Sequence, residues 1–420
     1  MNHSDSPCTL IVGSGHAGAE AAIALRQNGY TGRIVLIGNE ASLPYQRPPL
    51  SKGFLAGAVD HPALLMRPAD AYEKANIETR IGVQVTSLDA ARKLIELSDG
   101  GSLDYSHLIL ATGSRPRPLS GLDPECPLVN LHYLRTLAHA QQMREQMIEG
   151  KRLVIIGGGY IGLEVAAVAL KQGLEVSLIE NMDRILARVT SAEVSNFYQQ
   201  VHQAAGLKLH LNARFDRLNL DAEGKGVESV QLSDGNRLPA DLVLVGIGAI
   251  ANTELAEQAG LAVDNGILVD EFTCSSDPFI HAIGDCSNHP SERYGRRLRL
   301  ESIPNAIEQA RTAALAICGK PAPYRSIPWF WSDQYELKLQ TVGLSQGYDQ
   351  TCLRGSPATR SFVVFYLREG QVIAADCINR QLEFALIKKL VQGGQTPNAQ
   401  WLCDDSTPLK DILAQANAIA

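Results

Sequence analysis

Two stretches of the chain, LIVGSGHAGAEAAIALRQNGYTGRIVLIGNE (10–40) and LVIIGGGYIGLEVAAVALKQGLEVSLIEN (153–181), repeat one pattern. Each runs from a short β-branched strand through GxGxxG into an Ala- and Leu-rich helix. A second apolar strand follows and closes on a polar or acidic residue. Parallel strands cannot be joined by a tight turn and need a crossover helix, so each stretch predicts a βαβ unit. The fold class expected is therefore α/β, with two Rossmann-like dinucleotide-binding units. Within them Gly13 and Gly157 make the tight turn, and Gly15 and Gly159 let the backbone approach a pyrophosphate. Gly18 and Gly162 allow helix and strand to pack closely. The phosphates fall at the helix N-termini, around Ala17 in the first copy and Tyr160 and Ile161 in the second. There free N–H groups and the helix dipole favour anions.

The closing residues separate the two nucleotides. SLIE places Glu180 where a carboxylate binds ribose hydroxyls and repels a 2′-phosphate, so the second unit is expected to take NADH. Arg184 lies close enough in sequence to soften that preference. The first unit closes on LIGNE, and Asn39 and Glu40 are both candidates for the ribose. Two different dinucleotides imply FAD in the first unit and NADH in the second. YSHLILATGSRPR (105–117) predicts a buried strand running into the small turn Ala111-Thr112-Gly113, echoed by ADLVLVGIGAIAN (240–252) around Gly248. SSDPFIHAIGDC (275–286) ends a strand on Gly284-Asp285, an Asp suited to a sugar alcohol such as a ribityl chain. In LESIPNAIEQARTAALAI, Ser302 and Pro304 are good starting residues for a helix. Its first N–H groups would face flavin N1 and O2, with Ile303 against the ring.

At 420 residues, about two or three domains are expected. A net charge of −7 argues against a general nucleic-acid binder but leaves room for a local basic patch. No apolar run reaches membrane-spanning length, and MNHSDSPCTL lacks the basic and apolar regions of a signal peptide. No membrane association and a cytoplasmic location are expected. The eight cysteines are scattered, without CxxC or CxxxxC, and are expected to be buried reduced thiols.

These segments, with PPLSK, YLRTL, RVT, NGI, PNAIEQAR, CGK and PWFWSDQYE, resemble the two-dinucleotide-domain flavoproteins of the glutathione reductase type. Within that group the chain is similar, over essentially its whole length, to the NADH-dependent ferredoxin reductases of bacterial oxygenase systems. The resemblance implies a glutathione-reductase-like arrangement: a discontinuous FAD domain (1–115 and 246–325), an NAD domain (116–245) and a C-terminal α+β domain (326–420). It implies that Lys52, in the stiff loop SLPYQRPPLSK, is a flavin contact near N5 and O4, and that Glu164 faces the nicotinamide. A Lys52–Glu164 pair would then be the catalytic pair. Further flavin contacts are implied at Pro49, Val85 and Arg135. Glutathione-type reductases carry paired cysteines in the loop after the first βαβ unit, and related oxidases and peroxidases carry one. NEASLPYQRPPLSK has none, so electrons are expected to leave the flavin directly.

The expected acceptor is an acidic [2Fe-2S] ferredoxin serving a cytochrome P450 or other oxygenase. Rubredoxin reductase, a monodehydroascorbate-type reductase of a small acceptor, and an apoptosis-inducing-factor-like flavoprotein acting mainly through binding are the alternatives. Docking candidates are Arg67 and Arg311, then Arg293, Arg296, Arg297, Arg299 and Lys338. Trp329 and Trp331 are candidates for the region between flavin and partner.

Overall fold

A computed structural model of the chain describes residues 7–121 and 128–419, and Cys126 lies outside the described residues. The chain divides into two compact units. The first comprises Met1–Gln46, His61–Arg115 and Ala249–Pro328.

Its centre is a five-stranded parallel sheet in the order Ile280–Ala282, His107–Leu110, Cys8–Val12, Arg33–Gly38, Ile77–Ile81. The inner strands are near-continuous apolar runs because both faces are covered. Leu10, Val12, Val35 and Ile37 point to one face, and Ile11, Ile34 and Leu36 to the other. That alternation is the period-two pleat of a strand. On the second face the helices His16–Gln27 and Ile303–Ile317 pack together through Ala17, Ala21 and Ala24 against Ala306, Ala310 and Ala313. Small side chains there let the two helices approach closely, with their first turns near the same end of the sheet.

The second unit comprises Arg47–Asp60, Pro116–Gly248 and Trp329–Ala420, and so includes the RPPLSK part of the proline-rich loop. It repeats the parallel arrangement in the order Lys208–His210, Glu175–Ile179, Arg152–Ile156, Leu242–Val245, Leu131–His132. In each unit the first strand of the repeat is central, and the strand that follows the helix lies beside it. A five-stranded antiparallel sheet forms the rest, in the order Trp329–Gln334, Leu337–Gly343, Gln371–Ile378, Ser361–Arg368, Gln350–Ser356. Helices Gln381–Gly393, Ala399–Cys403 and Leu409–Ile419 follow it. Among the described residues no helix is long and apolar enough to cross a membrane.

One expectation is corrected here. Cys352 and Cys403 are joined by a disulfide, although 51 residues separate them and no spacing motif marks them. The return of the chain after the sheet brings helix Ala399–Cys403 onto strand Gln350–Ser356, a tertiary event with no local signature. The same strand grips the same segment through Arg354, which is 1 % exposed and donates to the carbonyl oxygens of Asp404 and Thr407 at 2.6 and 2.7 Å. Cys8, Cys274, Cys286, Cys318 and Cys377 are free thiols.

Candidate functional site

In the first unit the glycine turn is built as its chemistry requires. Gly13 sits at φ 113°, in the region that favours glycine, and a Cβ there would collide with the Ala111 carbonyl oxygen. A Cβ on Gly18 would collide with the carbonyl oxygen of Gly13. Gly15 differs: its φ is −76°, and a Cβ built on it meets nothing within 4 Å. Open space therefore lies over the N-terminus of His16–Gln27, and a pyrophosphate fits that cradle.

Ala111, Thr112, Gly113, Gly284 and Asp285 lie together around the turn. Thr112 donates its hydroxyl to the Asn252 carbonyl at 2.7 Å, and Asn252 returns an amide bond to the Thr112 carbonyl at 2.9 Å. This fixes the Ala111-Thr112-Gly113 turn. Gly284 lies beside Ala17, and its N–H is held by Gln309 Oε1 at 2.7 Å. The Asp285 carboxylate accepts the Ser114 hydroxyl at 2.8 Å. Ser302 caps Ile303–Ile317 by accepting the Asn305 N–H at 3.3 Å. Of the two ribose candidates, Asn39 is exposed, while Glu40 is half-buried and takes the Tyr45 hydroxyl at 2.5 Å. Val85 is buried in the core on the sheet's other face, so only its main chain is available to a ligand.

The second unit repeats the construction. Gly157 has φ 109° with its Cβ position against the Gly246 carbonyl, and the Gly162 position abuts the carbonyl of Gly157. Gly159, at φ −84°, again faces open space, as does Gly248 at φ 110°. The Glu180 carboxylate accepts the N–H groups of Gly158 at 2.7 Å and Met182 at 2.8 Å, which holds it at the mouth of the turn. Arg184 does not reach toward it in this arrangement. Its guanidinium donates to the carbonyls of Ala187 and Thr190, both at 3.0 Å, within its own loop. Tyr160 packs against Phe330 with ring centroids 4.7 Å apart and the rings tilted by 40°, and Ile161 is exposed.

The RPPLSK part of the proline-rich loop meets helix Tyr160–Lys171 inside this unit. Pro48–Ser51 forms a single tight turn containing Pro49, and the Arg47 guanidinium anchors it on the Arg135 carbonyl at 2.7 Å. Lys52 follows, with Nζ 2.6 Å from Glu164 Oε2 and 3.2 Å from the Pro48 carbonyl. Glu164 is 4 % exposed and also accepts hydroxyl bonds from Ser51 at 2.5 Å and Ser332 at 2.6 Å. A buried carboxylate needs such donors to offset lost hydration. Sequence reasoning brought Lys52 and Glu164 together but missed both serines. They stand within PPLSK and PWFWSDQYE, yet a single serine carries no spacing signal.

The basic candidates divide. Arg67 is half-buried on Glu20 at 2.9 Å, and Arg311 is exposed, 2.8 Å from Glu308. Arg297 is spent on the carbonyls of Val269 and Asn288, and Arg299 pairs with Glu301 at 2.6 Å. Arg297 is nevertheless exposed, and Arg299 is half-buried. Trp329 packs on Trp331 and Phe384 with centroids 5.6 and 5.8 Å apart.

Comparison with known proteins agrees with this construction. The pyridine nucleotide-disulphide oxidoreductase family model matches residues 8–310, and the reductase C-terminal model matches 329–413. Putidaredoxin reductase CamA of Pseudomonas putida is 47 % identical over 100 % of this chain and 99 % of the relative. The ferredoxin reductase subunit of 5,5'-dehydrodivanillate O-demethylase from Sphingobium sp. is 43 % identical, over 96 % of this chain and 98 % of the relative. The covalent putidaredoxin reductase–putidaredoxin complex superposes with a TM-score of 0.95 at 46 % identity, covering 99 % of this chain and 100 % of the matched one. Both dinucleotide cradles and the C-terminal sheet thus fall inside matched regions, and the chain belongs to the pyridine nucleotide-disulphide oxidoreductase family of FAD- and NAD(P)H-dependent enzymes.

Proposed function

We propose that the chain is an FAD-dependent NADH:ferredoxin oxidoreductase that passes electrons one at a time to an acidic [2Fe-2S] ferredoxin of an oxygenase system. The observation that carries this reading is the pair of open glycine cradles in a chain whose proline-rich loop has no cysteine. The balance is NADH plus two oxidised ferredoxins giving NAD⁺, two reduced ferredoxins and a proton. Bound FAD supplies the conversion from a hydride to single electrons, and the protein supplies position and electrostatics.

Gly13, Gly15, Ala17, Gly18, Glu40, Ala111, Thr112, Gly113, Gly284 and Asp285 hold FAD in this assignment. Gly157, Gly159, Tyr160, Ile161, Gly162, Glu180 and Gly248 hold NADH. The N–H groups opening Ile303–Ile317 offer the flavin partial positive charge, worth on the order of 1 kcal/mol. Lys52 supplies a cation to the ring, and Glu164 fixes where that cation points. By the resemblance, residues 1–115 with 246–325 are assigned to the FAD domain, 116–245 to the NAD domain and 326–420 to the C-terminal domain, with Arg47–Asp60 of the first segment packing in the second compact unit. The enzyme works in the cytoplasm, where NADH is regenerated.

Two tests follow. A panel of purified ferredoxins and rubredoxins is titrated with NADH and catalytic protein. An acidic [2Fe-2S] ferredoxin should be reduced, and the rate should fall as salt rises above about 0.1 M, where screening acts over roughly 10 Å. Arg311→Glu should raise KM for ferredoxin and leave flavin reduction unchanged. Reduction of a small radical or quinone but of no iron protein would refute the assignment. Separately, NADH should be strongly preferred to NADPH. Glu180→Ala should narrow the gap by removing the repulsion of a 2′-phosphate, and equal use of both by the parent enzyme would refute the role given to Glu180.

A further inference from the structure

Glu164 is the end of a longer chain of hydrogen bonds that runs away from Lys52. Ser332 Oγ lies 2.6 Å from Glu164 Oε1, and Gln334 Nε2 lies 3.2 Å from Ser332 Oγ. His202 Nε2 is 2.8 Å from Gln334 Oε1, and the Tyr335 hydroxyl is 3.0 Å from His202 Nδ1. Ser332, Gln334 and His202 are 0, 1 and 0 % exposed.

The chemistry of each group fixes its direction. An ionised carboxylate only accepts, so Ser332 donates to Glu164 and must accept from the Gln334 amide N–H. The Gln334 oxygen then accepts from His202 Nε2–H. His202 Nδ1 is left bare, and it accepts from Tyr335. Every donor in the series points toward Glu164. Burial pushes the His202 pKa down to about 4, which keeps the ring neutral, as this order requires. Gln334 donates from nitrogen and accepts at oxygen, so it does not hand a proton along. The series orients; it does not conduct.

The far end is held at a cost. Tyr335 has φ 56°, in the left-handed region that strains a bulky residue. It sits in the turn between Trp329–Gln334 and Leu337–Gly343, and its ring lies 5.0 Å from that of His202.

We propose that Tyr335, His202, Gln334 and Ser332 are a one-way positioning relay that holds the Glu164 carboxylate in the orientation in which it takes Lys52. These are positioning residues, and the inference rests on the reading that the Lys52–Glu164 pair serves flavin reduction.

Two measurements test it. The first needs no turnover: histidine-selective ¹⁵N NMR of the FAD-loaded protein without nicotinamide. His202 should carry its proton on Nε2 with Nδ1 bare, unchanged from about pH 6 to about pH 9. A proton on Nδ1 would reverse the order and overturn the relay. The second is stopped-flow flavin reduction in Ser332→Ala, Ser332→Thr, Tyr335→Phe and Glu164→Gln, with melting temperatures recorded in parallel.

Ser332→Ala should cut the limiting rate about tenfold, as loss of a hydrogen bond to a charged group implies, without raising the NADH concentration at half-saturation. Ser332→Thr should restore most of the rate, and Tyr335→Phe should give a smaller loss in the same parameter. If Glu164→Gln is slow while Ser332→Ala and Tyr335→Phe keep the parental rate, the relay is wrong and the role of Glu164 stands. If Glu164→Gln also keeps the parental rate, the reading of the pair falls and takes the relay with it.

Discussion

Lys52→Met should destabilise the folded protein by about 3 kcal/mol, and the double variant Lys52→Met/Glu164→Leu should recover part of that loss. Among the described residues, the single substitution leaves a carboxylate that is 4 % exposed with the Ser51 and Ser332 hydroxyls as its hydrogen-bond donors. Removing one partner of a buried pair strands the other charge. Breaking a fully buried pair costs up to about 5 kcal/mol, and the lower end applies because Lys52 is 20 % exposed. Replacing both groups leaves no buried charge, so stability should return in part while function does not. Flavin reduction by NADH should be slowed at least about tenfold in both variants, since neither retains the cation and its anchor. Denaturant unfolding and stopped-flow spectroscopy measure the two effects separately. Strictly additive stability losses would mean that Lys52 and Glu164 do not interact in solution.

The parts of this molecule that were legible in its sequence are those where the main chain leaves one option. Gly13 and Gly157 have φ above 100° and backbone oxygens where a Cβ would go, so the motif and the geometry are the same fact. Glu180 was legible for a related reason, since a fixed number of residues carries the chain from the turn through helix and strand back to the turn's mouth. Ser51 and Ser332 were not legible. They reach Glu164 across 113 and 168 residues, and what selects them is the unmet need of a buried carboxylate. Nothing in a string of residue types states that need. The Cys352–Cys403 disulfide belongs to the same class, decided by which surfaces tertiary packing brings together.

Gly15→Val and Gly159→Val should each fold normally and each abolish one half of the chemistry. Both positions have extended backbone that valine adopts without strain, and a Cβ at either meets nothing within 4 Å. The added side chain would intrude on the space assigned to a pyrophosphate. Gly13→Ala and Gly157→Ala are the contrasting pair: each drives a Cβ into a backbone carbonyl at a positive φ, so both should fail to fold. The most direct measurement is the flavin content of the two valine variants, followed by anaerobic reduction with NADH and then with dithionite. Gly15→Val should purify folded and colourless. Gly159→Val should purify yellow, resist NADH and still bleach with dithionite. A yellow Gly15→Val protein that NADH reduces at the parental rate would contradict the assignment of FAD to the first cradle and NADH to the second.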